Sequence, residues 1–128
     1  MLNLDSVDHI VLTVSNIKKA RDFYSRLFET EFKMDDKNSF HIDTGNTLVF
    51  FGKPSGIPPE NDRFNENRIG LDHFAFRISE RKELEKVLVN LKKMNIQTEG
   101  IEIDKYGNKE YICFRDLDNI QLEFYLRK

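Results

Sequence analysis

From Val7 to Val14 the chain alternates. Ile10, Leu12 and Val14 fall on one side of an extended backbone, and His9, Val11 and Thr13 on the other. The same alternation returns 64 residues later, with Phe74, Phe76 and Ile78 on one side and His73, Ala75 and Arg77 on the other. Both strands open on an apolar-Asp-His step and close on a serine, so Val7-Asp8-His9 to Ser15 lines up with Leu71-Asp72-His73 to Ser79. A match of this kind, offset by half the chain, indicates a repeated supersecondary unit.

After each strand the period changes to that of a helix. Ile17, Ala20, Phe23, Tyr24 and Leu27 recur at helical spacing, as do Leu84, Val87, Leu88 and Leu91. Ser15 and Ser79 stand where N-caps are expected. Short strand-like runs follow, at about 31–34, 40–43 and 47–51 in the first half and 97–103, 110–115 and 120–126 in the second. Gly45-Asn46 and Asp118-Asn119 supply turn chemistry before the last strand of each half. Each half thus reads strand, helix, strand, strand, strand. Residues 53–68 contain all three prolines (Pro54, Pro58 and Pro59) and read as a linker or loop. The expected organisation is α+β: module 1 at about 4–52, a linker at 53–68 and module 2 at about 69–127, together one domain.

In each first strand the wholly apolar side suits the helix, which leaves His9 and His73 on the opposite side. The last strand follows the same rule: Ile120, Leu122 and Phe124 form an apolar side, Gln121, Glu123 and Tyr125 the other. Curved sheets could bring His9, His73 and Glu123 together as a two-His-one-carboxylate set, suited to Fe, Mn, Zn or Ni with coordination positions left open. Taken singly, each histidine is equally well a satisfied strand residue, and Glu123 an edge carboxylate. The equivalence of the two histidines within the repeat favours ligation.

Composition narrows the field. In 128 residues, hydrophobic positions make up 39% and charged ones 33%, which suits a globular chain and excludes a disordered one. Net charge is −2 with no basic block, so nucleic acid is not an expected partner. No apolar run reaches bilayer length, and Met1-Leu2-Asn3-Leu4-Asp5 lacks a secretory leader, so a cytoplasmic location without membrane contact is expected. Cys113, the sole cysteine, precludes an internal disulfide and reads as an inert thiol in an apolar strand. Eleven phenylalanines imply an aromatic core or pocket wall, with Phe40, Phe51 and Phe64 as candidates for either.

These motifs resemble the vicinal oxygen chelate superfamily of glyoxalases, bleomycin-resistance proteins and extradiol dioxygenases, over essentially the whole chain. The segment Val7–Val14 is similar to the family's first strand and Gly70–Phe76 to the start of its second module, each with a ligand histidine. Phe114-Arg115-Asp116-Leu117-Asp118-Asn119-Ile120-Gln121-Leu122-Glu123-Phe124 resembles a closing motif that often reads Asp-Pro-Asp-Gly-Asn-x-Ile-Glu-Leu, with Glu123 on the terminal ligand. Leu117 replaces the usual proline and the glycine before Asn119 is missing, departures that alter the turn and leave the ligand in place. The resemblance implies a curved mixed sheet of paired βαβββ modules around a cavity, one divalent metal and a homodimer. Aligning Leu48-Val49-Phe50 with Leu122-Glu123-Phe124 puts Val49 at the fourth ligand position of glyoxalase I. Valine cannot ligate, so the site resembles the three-ligand dioxygenase and fosfomycin-modifying branches.

The expected function is therefore a metal-dependent enzyme that binds a small substrate through two neighbouring oxygens, by lyase, dioxygenase or thiol-transferase chemistry. A metal-free protein that sequesters an aromatic or cationic compound is the alternative. Beside Glu123, Tyr111 is a candidate proton donor and Arg77 a clamp for an anionic substrate. Tyr125 reads as structural or pocket-lining, and His41 as a surface or supporting histidine.

Overall fold

The computed structural model describes all residues, 1–128, in two compact units, Met1–Glu60 and Asn61–Lys128. The first contains β1 (His9–Thr13), α1 (Ile17–Leu27), β2 (Met34–Asp36), β3 (Ser39–Asp43) and β4 (Leu48–Gly52). The second contains β5 (Phe74–Ile78), α2 (Arg81–Lys93), β6 (Ile101–Ile103), β7 (Glu110–Arg115) and β8 (Gln121–Leu126). Each unit forms a four-stranded mixed sheet, ordered β1-β4-β3-β2 and β5-β8-β7-β6. The first strand of each pairs in parallel with the last, and the remaining pairs are antiparallel. The expected pair of βαβββ modules in an α+β fold is therefore what forms.

Period-2 and period-3.6 patterns meet on one side of each sheet. In the first unit Leu12, Val14, Phe40, Ile42, Val49 and Phe51 are buried with Ala20, Phe23, Tyr24 and Leu27 of α1. Phe40 and Phe51 stack at 4.6 Å and Tyr24 lies 4.4 Å from Phe51, so these phenylalanines build the core and not a cavity wall. The second unit buries Phe76, Ile112, Phe114, Leu122 and Phe124 with Leu84, Val87 and Leu91 of α2. Each such large side chain contributes roughly 1.5–3 kcal/mol by leaving water.

The helix starts differ from expectation. Asn16, not Ser15, caps α1, its Oδ1 accepting the Lys19 amide at 3.0 Å. Glu80, not Ser79, precedes α2 and makes no side-chain cap bond. Two strands begin later than their apolar runs suggest, because side chains take the backbone groups that a ladder needs. Before β2, the Phe32 amide donates to Ser25 Oγ at 3.1 Å. Before β6, the Thr98 hydroxyl donates to the Cys113 carbonyl at 2.9 Å and accepts from the Gly100 amide.

Segment 53–68 has no helix or strand, and its second part is a loop anchored within the second unit. Residues 61–68 belong to the second unit and lie on its β7–β8 turn. The Phe64 amide donates to the Asp118 carbonyl, and Asn119 Nδ2 donates to the Phe64 carbonyl, each at 2.9 Å. The turn itself is held by Asp116, whose Oδ1 accepts the Asp118 and Ile120 amides. Asn119 takes φ 68°, the left-handed conformation that glycine usually supplies and asparagine tolerates.

Candidate metal centre

Side chains alternate between a buried and an open face in both sheets. His9 and Val11 on β1 are exposed while Leu12 is buried, and Glu123 on β8 lies between buried Leu122 and Phe124. The β5–β8 register sets Ala75 beside Glu123, and the β7–β8 register sets Cys113 opposite it. His73, two residues before Ala75, shares that face, and its Nε2 lies 3.5 Å from Glu123 Oε2. The Glu123 side chain is only 14% exposed, and burial pushes its carboxyl above the ordinary carboxylate range. A protonated His73 opposes that rise, while Asp104, Asp72 and Glu102 add to it.

The aspartate before each histidine orients the ring. His73 Nδ1 is 2.6 Å from Asp72 Oδ1, and His9 Nδ1 is 2.7 Å from Asp8 Oδ2. A carboxylate only accepts, so Nδ1 carries the hydrogen and the Nε2 lone pair faces outward. This is the orientation a metal-binding imidazole requires. In the second unit that lone pair and a Glu123 oxygen then confront one another as two acceptors, an arrangement that a cation or an added proton satisfies. The donor chemistry of His73 and Glu123 fits a divalent ion. Within neither unit does a group of three His, Cys, Asp or Glu side chains gather in metal-holding geometry, and His9 belongs to the first unit.

The other candidates are tied to neighbours. Tyr111 donates to Glu102 Oε2 at 2.7 Å, and this bond, with burial, pushes its phenol up to about 12, so the hydroxyl stays protonated. Tyr125 donates to Asp104 Oδ2 at 2.8 Å, which raises its phenol too. The two rings stack 6.4 Å apart, with the Arg127 guanidinium 5.4 Å over Tyr125. Gly107 leaves room for the Tyr125–Asp104 bond, since a Cβ there would lie 2.5 Å from the Tyr125 hydroxyl. Arg77 is exposed and donates from Nε to the Arg127 carbonyl at 3.1 Å. His41 holds both Asp35 oxygens at 2.8 and 2.9 Å and faces the Phe50 ring at 5.3 Å. Cys113 is half-buried beside Glu123, and burial pushes its thiol up.

One alignment is corrected. In the first unit Ile10 pairs with Val49 and Val11 with Phe50; in the second, Phe74 pairs with Leu122 and Ala75 with Glu123. The residue equivalent to Glu123 is therefore Phe50, one position beyond Val49, which is buried on the helix side. Phenylalanine cannot ligate either, so the three-ligand inference is unchanged. Sequence reasoning passed over Asp8 and Asp72 as orienting residues although both stand in the repeat. It also passed over Glu102, Asp104, Glu66 and Arg115, whose partners lie far away in sequence.

Comparison with known proteins agrees with this architecture. The chain is 30% identical over 130 residues to YwkD of Bacillus subtilis, covering 95% of this chain and 97% of that one. It is 27% identical over 123 residues to the metallothiol transferase FosB of Staphylococcus epidermidis, covering 95% and 84%. Among solved structures, a glyoxylase/bleomycin resistance protein/dioxygenase domain from Frankia sp. EAN1pec superposes with a TM-score of 0.75 at 24% identity, covering 98% and 100%. No helix is long and apolar enough to cross a membrane. Residues 6–124 match the model of the Glyoxalase/Bleomycin resistance protein/Dioxygenase superfamily, and the chain belongs to that family.

Proposed function

We propose that the chain is a divalent-metal-dependent enzyme that acts on a small molecule through two neighbouring oxygens, with His9, His73 and Glu123 as the metal-holding residues. The observation that carries this reading is the His73–Glu123 pair: two acceptor atoms 3.5 Å apart, with the imidazole locked by Asp72. When bound, an iron, manganese, zinc or nickel ion supplies Lewis acidity toward charge developing on the chelated oxygens. Asp8 and Asp72 keep each Nε2 turned outward, and Glu123 adds the negative charge that selects a cation over a neutral ligand. Tyr111 and Tyr125 give their single hydroxyl hydrogens to Glu102 and Asp104, which leaves each phenol oxygen as a fixed acceptor on the same face.

Within this class, group transfer of the metallothiol-transferase type has support from the relatives of that name, which align with 95% of the chain. Ring-cleaving dioxygenation also suits three ligands. We place His9 in the site from the same chain or from a second copy in a homodimer.

The test is elemental analysis of protein purified without chelators or a metal-affinity tag. Near-stoichiometric metal that is lost in both Glu123→Gln and His9→Ala is the expected result. Restoration of metal on mixing those two variants would place the site across a dimer. Absence of metal in the wild type, even after the four ions are added back, overturns the reading and favours a metal-free binding protein.

A further inference from the structure

We propose that Arg115 is the residue that recognises an anionic group of the substrate, and that Glu66 occupies its guanidinium until that group takes its place. The inference deepens the function proposed above by naming a feature of the substrate: a carboxylate or a tetrahedral oxyanion set apart from the chelating oxygens.

The placement comes from register. Arg115 lies two residues beyond Cys113 on β7, hence on the face that carries Glu123, and it pairs with Gln121 of β8. Phe74 pairs with Leu122, so His73, one residue earlier, lies level with Gln121. His73, Gln121 and Arg115 form one row across three strands, which puts the Arg115 backbone roughly 10 Å from the His73 backbone at the usual strand spacing. A small molecule can span that distance.

The guanidinium is fixed by its own sheet. Its Nη1 donates to the Asn119 carbonyl at 3.2 Å and its Nη2 to Gln121 Oε1 at 3.1 Å. These contacts set the plane of the group and do not involve Glu66. The remaining fork is filled by Glu66 in bidentate fashion, Nη1 to Oε2 at 3.1 Å and Nη2 to Oε1 at 2.7 Å. That is the geometry in which arginine selects carboxylates and phosphates. Arg77, the arginine expected for this role, has its Nε committed to the Arg127 carbonyl.

Glu66 comes from an irregular segment. It lies between Asn65, which accepts from the Asn67 and Arg68 amides, and Gly70 at φ 143°. The two bonds at Phe64 hold this strap to the β7–β8 turn without using Glu66. Arg115 and Glu66 are 38% and 25% exposed, so a solute can reach the pair. Exchange of one bidentate oxyanion for another conserves the hydrogen bonds made, and the protein's own carboxylate sets a threshold that weakly matched anions do not pass.

The experiment is titration of the metal-free full-length protein with inorganic phosphate at constant ionic strength, read by heteronuclear NMR shifts. Glu66→Gln should bind phosphate at least tenfold more tightly than the wild type, with the largest shifts at Arg115, Asn119 and Gln121. Asp62→Asn removes the same charge from the same segment without touching Arg115, and should change affinity less than twofold. Arg115→Lys in the Glu66→Gln background should lose most of the gain, because a point charge cannot replace the fork. Equal phosphate affinity in wild type and Glu66→Gln, or an equal gain in Asp62→Asn, overturns the proposal and leaves the pair as a buckle for the strap. Because metal plays no part in the titration, failure of the metal reading and failure of this one are told apart.

Discussion

On the first unit the face turned away from α1 presents His9, Val11, His41 and Phe50, with the Phe50 ring 6.1 Å from His9 and 5.3 Å from His41. On the second unit the equivalent face presents His73, Glu123, Cys113, Tyr111 and Tyr125, with Glu102 and Asp104 tied to the tyrosines. Strand order, helix placement and the Asp-His step are common to both. What differs is the occupant of one register position, Phe50 in one unit and Glu123 in the other, and the polar groups gathered around it. Repetition supplies the scaffold and an oriented imidazole twice, while the carboxylate chemistry is built once. The cores differ as well: rings dominate around Tyr24, Phe40 and Phe51, whereas aliphatic residues such as Leu84, Leu91, Ile112 and Leu122 fill most of the second.

The largest effects are expected in those cores. Phe51→Ala should cost about 3–5 kcal/mol and Leu122→Ala about 2–5 kcal/mol in urea unfolding, since both sites are wholly enclosed. If each variant lowers the midpoint of one part of a split transition, the units unfold separately; a single shared shift would show that they are coupled.

A smaller effect separates two glycines. Gly107→Ala drives a methyl to within 2.5 Å of the Tyr125 hydroxyl and should cost on the order of 1–3 kcal/mol. Gly52→Ala meets nothing closer than the Asn38 carbonyl at 3.9 Å and should leave the melting temperature within a degree or two of the wild type. Equal destabilisation of the two would mean that the Asp104–Tyr125 arrangement is not under the constraint described.

The smallest effect is a pH dependence confined to the second unit. The side-chain bond from Arg115 holds the Glu66 carboxyl down to about 2. A depressed carboxyl stabilises the fold above its unfolded range, near 4.3, and that contribution fades as pH falls toward 2. Thermal melts between pH 5 and 2.5 should show a shallower decline in Glu66→Gln than in the wild type. Parallel curves would remove the Arg115 bond as the cause.

The architecture was readable because periodicity is local: the change from period 2 to 3.6 after Val14 and after Ile78 marks both strand–helix units, and parity puts Leu12 inside and His9 outside. Helix starts were displaced by one residue because Ser15 and Asn16 are both competent caps, and only the backbone turn decides which side chain reaches Lys19. Matching the strings Leu48-Val49-Phe50 and Leu122-Glu123-Phe124 slipped by one because register depends on how β1 pairs with β4 and β5 with β8. The bonds Tyr111–Glu102, Tyr125–Asp104 and Arg115–Glu66 join residues 9, 21 and 49 positions apart. No local pattern encodes them, and Glu66 stands in a stretch whose prolines and polar residues read only as a connection.

Each sheet ends at one edge in a strand of three residues, β2 or β6, the opposite edges being β1 and β5, and β2 carries a register shift between Met34 and Asp36. Strands so short offer an incoming polypeptide few free amides and carbonyls, and the charges of Asp35, Asp36 and Glu102 oppose the stacking of like copies. Fibril growth from these two rims is thereby discouraged. The same brevity leaves their few ladder bonds with little cooperative support, so their amides should exchange deuterium well before those of β4 and β8.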